Sequence, residues 1–138
     1  MRLNSLKFYW SLLRTRQWTK NAFVLAGVVF SGLFVQPQAL FTALAAFVVF
    51  CLISSAAYVC NDLADRKEDA LHPLKCHRPL AAGKITVAGA RVLALLLFLA
   101  ASGGAFFLNR SFGLLVVSYF FLTVAYSLWL KKVVLIDL

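Results

Sequence analysis

The sequence predicts an all-α fold, a polytopic transmembrane helix bundle of about four spans plus the start of a fifth, and three observations carry that prediction. The 138 residues are 62% hydrophobic with a mean hydropathy of +0.85, far above soluble domains, in which about half the residues are apolar. The apolar residues fall in runs long enough to cross roughly 30 Å of hydrocarbon at about 1.5 Å per helical residue. The charges fall between those runs, and nearly all of them gather on one side.

The spans are expected at about 17–35, 39–60, 88–108 and 112–130, within a single domain over 1–138. Ala39 to Cys60, Val92 to Leu108 and Phe112 to Leu130 carry no internal charge. The first span is marginal: Ala22 to Val35 is too short alone and reaches span length only if the helix begins near Arg16, which puts Lys20 and Asn21 inside the membrane boundary. A charge there either faces a cavity or partner or snorkels to the headgroups, and both readings stay open for Lys20. This first run starts after Lys20 and has no small-residue cleavage pattern, so it reads as a retained span and not a signal peptide.

Fourteen Lys and Arg stand against five acids, a formal charge of +9. Nucleic acid is set aside as a partner because the cations lie between apolar runs; anionic headgroups and phosphorylated substrates fit better. The short connections at 36–38 and 109–111 hold one charge in total, Arg110. Arg2, Lys7, Arg14, Arg16 and Lys20 precede span one, five cations lie in the 61–87 connection, and Lys131 and Lys132 follow span four. The positive-inside rule then gives a multi-pass protein of the cell (inner) membrane with both ends of this stretch, and the acidic connection, cytoplasmic. Val133 to Leu138 read as a fifth apolar segment cut short, with Asp137 just inside it, so the chain is expected to be part of a longer bundle. Three cysteines without CxxC spacing give no disulfide framework.

Four of the five acids fall in eight residues after span two, in Asn61-Asp62-Leu63-Ala64-Asp65-Arg66-Lys67-Glu68-Asp69. On a continuing helix Asp62, Asp65 and Asp69 share a face, as do Asn61, Asp65 and Asp69. Hard cations such as Mg²⁺ take carboxylate oxygens and leave positions for water and phosphate, so a carboxylate face at a helix end suits a metal–diphosphate complex. Crowded carboxylates also repel one another, and a metal, or Arg66 and Lys67, must offset them. The bland alternative is a solvated helix end. Downstream, His72-Pro73-Leu74-Lys75-Cys76-His77-Arg78-Pro79 is a proline-broken loop over the cluster. Lys75 and Arg78 suit phosphate oxygens, or serve only as topology charges, and His72 suits a hydrogen-bonding or phosphate role. His72, Cys76 and His77 lack a fourth ligand spaced for zinc.

Asn61-Asp62-x-x-Asp65-x-x-x-Asp69 after a membrane helix resembles the first aspartate-rich motif of the UbiA superfamily of intramembrane prenyltransferases. Arg14-x-x-Gln17-Trp18-x-Lys20-Asn21 and His72-Pro73-x-Lys75-x-x-Arg78-Pro79-x-Ala81-Ala82-Gly83 look most like the decaprenyl-phosphate phosphoribosyltransferase branch. The resemblance implies a nine-span bundle, of which this chain supplies the N-terminal part, and a second aspartate-rich motif in a C-terminal half that catalysis needs. It implies Mg²⁺ as cofactor, with Asn61, Asp62, Asp65 and Asp69 as the expected metal ligands and Asp62, Asp65 and Asp69 catalytic. It also implies transfer of a phosphoribosyl group from phosphoribosyl pyrophosphate to a polyprenyl phosphate, a lipid-linked precursor of the cell wall. Arg14, Lys20, Asn21, His72, Lys75 and Arg78 would then bind substrate. Two alternatives remain: an aromatic prenyltransferase using a prenyl diphosphate, and a non-catalytic membrane fragment or subunit. The thirteen Phe, three Trp and four Tyr do not decide between them, since aromatics in membrane chains mostly pack or face lipid.

Overall fold

The structure, a computed structural model, describes residues 2–136. Asp137 and Leu138, the end of the expected fifth segment, lie outside the described residues. Every regular element among the described residues is helical. Three helices are long and apolar enough to cross a membrane, Pro37–Ala64, Val87–Leu108 and Arg110–Val133.

Helix α1 (Arg2–Leu12) ends at Arg14, which takes the left-handed conformation at φ 50° and is the one positive-φ residue other than glycine among those described. The expected first span takes another form. A 3₁₀ turn at Thr15–Gln17 leads into α2 (Trp18–Asn21), a second 3₁₀ turn (Ala22–Leu25) and α3 (Ala26–Phe30). The helical path stops at Gly32, where φ is 72°. Gly32 tolerates that conformation because it has no Cβ. The 15–30 stretch covers roughly 25 Å at helical rise, short of a full hydrocarbon crossing.

Helix α4 (Pro37–Ala64) starts after an extended Gln36, with Pro37 in the first turn, where proline's missing N–H costs nothing. Its 28 residues run about 42 Å, longer than the apolar layer, so its last turn emerges at the interface. The backbone breaks at Asp65, and the short α5 (Arg66–Leu71) follows. Helix α6 (Val87–Leu108) is capped by Thr86, whose hydroxyl accepts from the Gly89 amide at 3.1 Å. Asn109 alone separates it from α7 (Arg110–Ala125) and caps that helix by accepting from the Ser111 and Phe112 amides. A π turn at Tyr126–Leu130 continues directly into α8 (Lys131–Ile136). The residues expected to open a fifth segment therefore prolong the fourth helix without an intervening loop.

Helices α4, α6 and α7 form the core. Val49, Ile53, Ala56 and Ala57 of α4 meet Leu97, Ala101 and Ala105 of α6 and Val116 and Phe120 of α7. Small side chains let the α4 and α6 backbones close up, which is how helices associate where lipid removes the hydrophobic drive. Phe50 packs edge-on against Phe112 and Tyr119, and Phe98 packs edge-on against Phe121 and tilted against Phe120. A second cluster, Leu12 with Val59, Leu80, Ile85, Ala90 and Ala94, fixes α1 and the 72–85 loop to the same end of α4 and α6. Large apolar residues such as Phe30, Phe107 and Leu122 point outward, as a helix in hydrocarbon allows. We predict that Ala101→Leu, which puts an isobutyl group into a fully buried contact, destabilises the chain by about 1–3 kcal/mol. Thermal unfolding in detergent measures this, and Gly103→Leu, at an exposed position, is expected to cost far less.

Candidate functional site

At the C-terminal end of α4, three carboxylates that the sequence places on one helix face are almost fully buried: Asp62 is 3% exposed, Asp65 6% and Asp69 3%. The break at Asp65 does not disperse them, because the Asp65 amide still bonds the Asn61 carbonyl at 2.9 Å and the Asp69 amide bonds the Asp65 carbonyl at 2.8 Å. Arg66, Lys67 and Glu68 point out and are exposed. The neighbouring cations expected to offset the acids do not do so. Helical periodicity explains why: residues between positions of one face lie on the other.

The offsetting cations come from three distant segments. Arg14 Nη2 donates to Asp62 Oδ1 at 2.5 Å, and its guanidinium lies over the Tyr58 ring, 5.0 Å from the centroid. Arg78 Nη1 bridges Asp62 Oδ1 at 3.3 Å and Asp69 Oδ2 at 2.6 Å. Lys75 Nζ stands 4.0 Å from Asp69 Oδ1. Lys131 Nζ donates to Asp65 Oδ2 at 2.7 Å. The left-handed Arg14 turns the chain at the end of α1 so that its side chain meets Asp62, and backbone strain of this kind is what functional positions retain. Gly83, at φ 69°, lets the proline-broken loop turn back toward α6 after Arg78 has been delivered.

The remaining expected site residues are placed elsewhere. Asn21 donates to Ser54 Oγ at 3.3 Å and reaches Cys51 Sγ at 3.7 Å. Ser54 lies eight residues before Asp62, about 12 Å along the helix, so Asn21 ties the first segment to α4 and does not touch the carboxylates. Trp18 does the same through Ser55 Oγ at 3.0 Å. Lys20 is exposed. His72 is exposed and uses Nδ1 to accept from the Leu74 and Lys75 amides, which shapes the loop. Asn61 faces a groove of about 180 Å³ between α4 and α7, with Ser54, Tyr58, Tyr119, Thr123 and Ser127.

The four expected metal ligands are thus divided: Asp62 and Asp69 share Arg78, Asp65 pairs with Lys131, and Asn61 lines the groove. No group of three His, Cys, Asp or Glu side chains among the described residues converges tightly enough to hold an ion by itself. Mg²⁺ does not require such a cage; it commonly takes one or two carboxylates and completes its octahedron with water and substrate phosphate. The Asp62 and Asp69 oxygens, both within hydrogen-bond reach of one guanidinium nitrogen, fit that mode by donor chemistry and by burial.

Residues 21–137 match the UbiA prenyltransferase family. The chain belongs to the UbiA prenyltransferase family. Among its relatives, a decaprenyl-phosphate phosphoribosyltransferase of Mycobacterium tuberculosis is 35% identical over 130 residues, covering 91% of this chain and 43% of that protein. The protein of that name in Corynebacterium glutamicum is 37% identical over 131 residues, covering 91% of this chain and 39% of the relative. An uncharacterized protein of Sinorhizobium fredii is 36% identical over 132 residues, 96% of this chain and 26% of the relative. The chain spans well under half the length of these curated relatives.

For this UbiA-family chain the sequence reading passes over Lys131, taken only as a topology charge, and Tyr58. The signal for Lys131 is present: it lies on the same membrane side as the aspartates, one π turn beyond an apolar helix. A π turn holds about one more residue than an α turn and so rotates the residues beyond it by roughly 100°, a phase that no composition pattern reveals. Removing Lys131 leaves Asp65 buried without its cation. Lys131→Met is therefore predicted to lower stability by about 1–3 kcal/mol, and Asp65→Asn in the same chain to restore at least half of that, in a double-mutant cycle followed by thermal unfolding.

Proposed function

We propose that this chain provides the diphosphate-binding half of a Mg²⁺-dependent intramembrane transferase that moves a phosphoribosyl group from phosphoribosyl pyrophosphate to a polyprenyl phosphate. The observation that carries the reading is a set of three buried carboxylates at the membrane boundary, each matched to a cation from another segment. Relatives named as decaprenyl-phosphate phosphoribosyltransferases supply the donor and acceptor classes. The membrane side, the inner-membrane location and the need for a C-terminal half belong to the same proposal.

Both substrates are anions, so the chemical problem is charge. The leaving diphosphate needs its charge neutralised as the sugar C1–oxygen bond breaks, chemistry that magnesium would supply when bound. Asp62 and Asp69, with Asp65 beside them, are the side chains that would hold it. Arg78 and Lys75 stand on the loop over these carboxylates, where their remaining N–H groups can orient phosphate oxygens. Lys131 holds the far side of the cluster. The lipid phosphate is already ionised and needs little general-base help, so its requirement is alignment with C1. The groove lined by Asn61, Tyr119, Thr123 and Ser127 runs along α4 and α7 and offers hydroxyl and amide groups for that alignment. Asn21 and His72 hold or shape the surrounding segments.

The test uses membranes containing the chain, alone and co-expressed with the unmatched C-terminal segment of the Corynebacterium relative. Given Mg²⁺, labelled phosphoribosyl pyrophosphate and a polyprenyl phosphate, they are expected to form a lipid-linked sugar phosphate. Chelation abolishes the product, and Asp69→Asn lowers its rate by about 100-fold or more. Product formed only from a prenyl diphosphate and an aromatic acceptor overturns the donor assignment. No product from either pair, with Asp69→Asn unchanged in Mg²⁺ affinity, overturns the enzymatic reading.

A further inference from the structure

The Arg14–Asp62–Arg78 triad has a second flank. A cavity of about 340 Å³ lies against it, walled by Ser11, Leu12, Arg14, Asp62, Leu74, His77, Arg78 and Pro79, a size within the range of small-molecule sites. Neither Asp65 nor Asp69 lines it. A neighbouring cavity of about 580 Å³ shares Ser11 and Arg14 with it and adds Trp10, Thr15, Arg16 and Gln17.

The charge in this cavity is one-sided. Asp62 is its single acid, and it engages one nitrogen of each guanidinium, Arg14 Nη2 and Arg78 Nη1. Each guanidinium has five N–H donors in a planar fork, so most of the donors of both remain for another acceptor. Arg14 is 25% exposed and Arg78 28%, so both are reachable from solvent. His77 and Ser11, both exposed, add an imidazole and a hydroxyl. Asp62 thus acts as a shared post that holds two forks a fixed distance apart. Paired guanidiniums with a hydroxyl and an imidazole are the donor set for a phosphate monoester, whose three terminal oxygens accept bidentate hydrogen bonds.

We propose that this cavity is a phosphomonoester subsite, formed by Arg14, Arg78, His77 and Ser11, that takes the terminal phosphate of a sugar-phosphate donor while its diphosphate lies on the other flank of Asp62. The inference rests on the phosphoribosyl reading and names the part of the donor that this second site holds. Phosphoribosyl pyrophosphate carries its monoester at the opposite end of the ribose from its diphosphate, and two anion sites on either side of one aspartate match that separation of charge. The cavity's walls come from the end of α1 and the 72–85 loop, not from the outward apolar faces of α4, α6 and α7, which favours a soluble sugar phosphate over a lipid phosphate.

The test is binding to the whole chain in lipid nanodiscs with EDTA present, using ribose 5-phosphate followed by calorimetry or ³¹P line broadening. Saturable binding without divalent cation, displaced by inorganic phosphate, is expected. His77→Glu puts a carboxylate at the cavity mouth and is expected to weaken ribose 5-phosphate about tenfold or more. Because the position is exposed, melting is expected to stay unchanged, and magnesium pyrophosphate binding to stay within about twofold. Ser11→Asp is the second variant, with the same expectation. Ribose 5-phosphate binding that requires Mg²⁺ and ignores both variants overturns the subsite, as does competition by a short polyprenyl phosphate where ribose 5-phosphate has no effect. If ribose 5-phosphate binds as expected and magnesium pyrophosphate does not bind at all, the subsite stands and the diphosphate reading of the aspartates falls.

Discussion

The structure depends on matching three buried carboxylates at the C-terminal end of α4 with cations that α4 does not contain. A helix C-terminus carries a partial negative charge and is stabilised by bases, yet α4 has no basic residue in its last turn and places Asp62 there. The acids are therefore locally unfavourable, and their compensation is imported. Arg14 brings the end of α1, Arg78 and Lys75 bring the 72–85 loop, and Lys131 brings the end of the last helix. An ion pair at such depth adds little net stability over an apolar pair, but losing one partner leaves a charge with nothing to offset it. The pairs thus act chiefly to specify where three separate segments stop.

Apolar packing and polar pairing divide the protein between them. Alanine-lined contacts hold α4, α6 and α7 over their middle lengths, where nothing polar is required. The irregular 13–35 stretch is held differently, by a ladder of hydrogen bonds on α4. Ser55 Oγ accepts from Trp18 and donates to the Leu13 carbonyl at 2.8 Å. That carbonyl sits at the left-handed turn, where the helical path is interrupted, and an unpartnered carbonyl at membrane depth costs several kcal/mol by order of magnitude. Ser54 does the matching service for Asn21. The pair Ser54-Ser55, which reads in sequence as small residues for close packing, is also the anchor of the first segment.

The sequence made the helical class, the positions of α4, α6 and α7, and the acidic end of α4 legible, because each rests on local composition: apolar run length, Pro37 at a helix start, and a cluster of acids at helical spacing. Its partners were not legible in the same way. Arg14 and Asp62 are 48 residues apart and Lys131 and Asp65 are 66 apart, and no period in the sequence links them. Arg66 and Lys67, the nearest cations, were the natural choice for neutralising the acids and are the ones helical phase turns away. Asn21 and His72 belong to recognisable motifs, yet their contacts are structural: one tethers a segment and the other shapes a loop. The first span was legible as apolar but not as irregular, since 3₁₀ turns and the Gly32 break depend on which backbone groups α4 can satisfy.

Three departures from local preference meet at one end of the bundle: acids at a helix C-terminus, a left-handed arginine and a π turn. Sequences that break local rules in one place without a packing gain do so where function is exerted. The charges there also constrain what can enter under the proposed reading. A free diphosphate finds its cations already engaged by carboxylates, and a lone magnesium ion meets Arg14, Lys75, Arg78 and Lys131 at the mouth of the site. A magnesium–diphosphate complex would bring a metal to the Asp62 and Asp69 carboxylates and phosphate oxygens to the loop cations Arg78 and Lys75, so under that reading neither set of charges is left without a partner. Under that reading the ion pairs would favour the neutralised complex over either of its parts, because the same burial makes each carboxylate costly when unpaired.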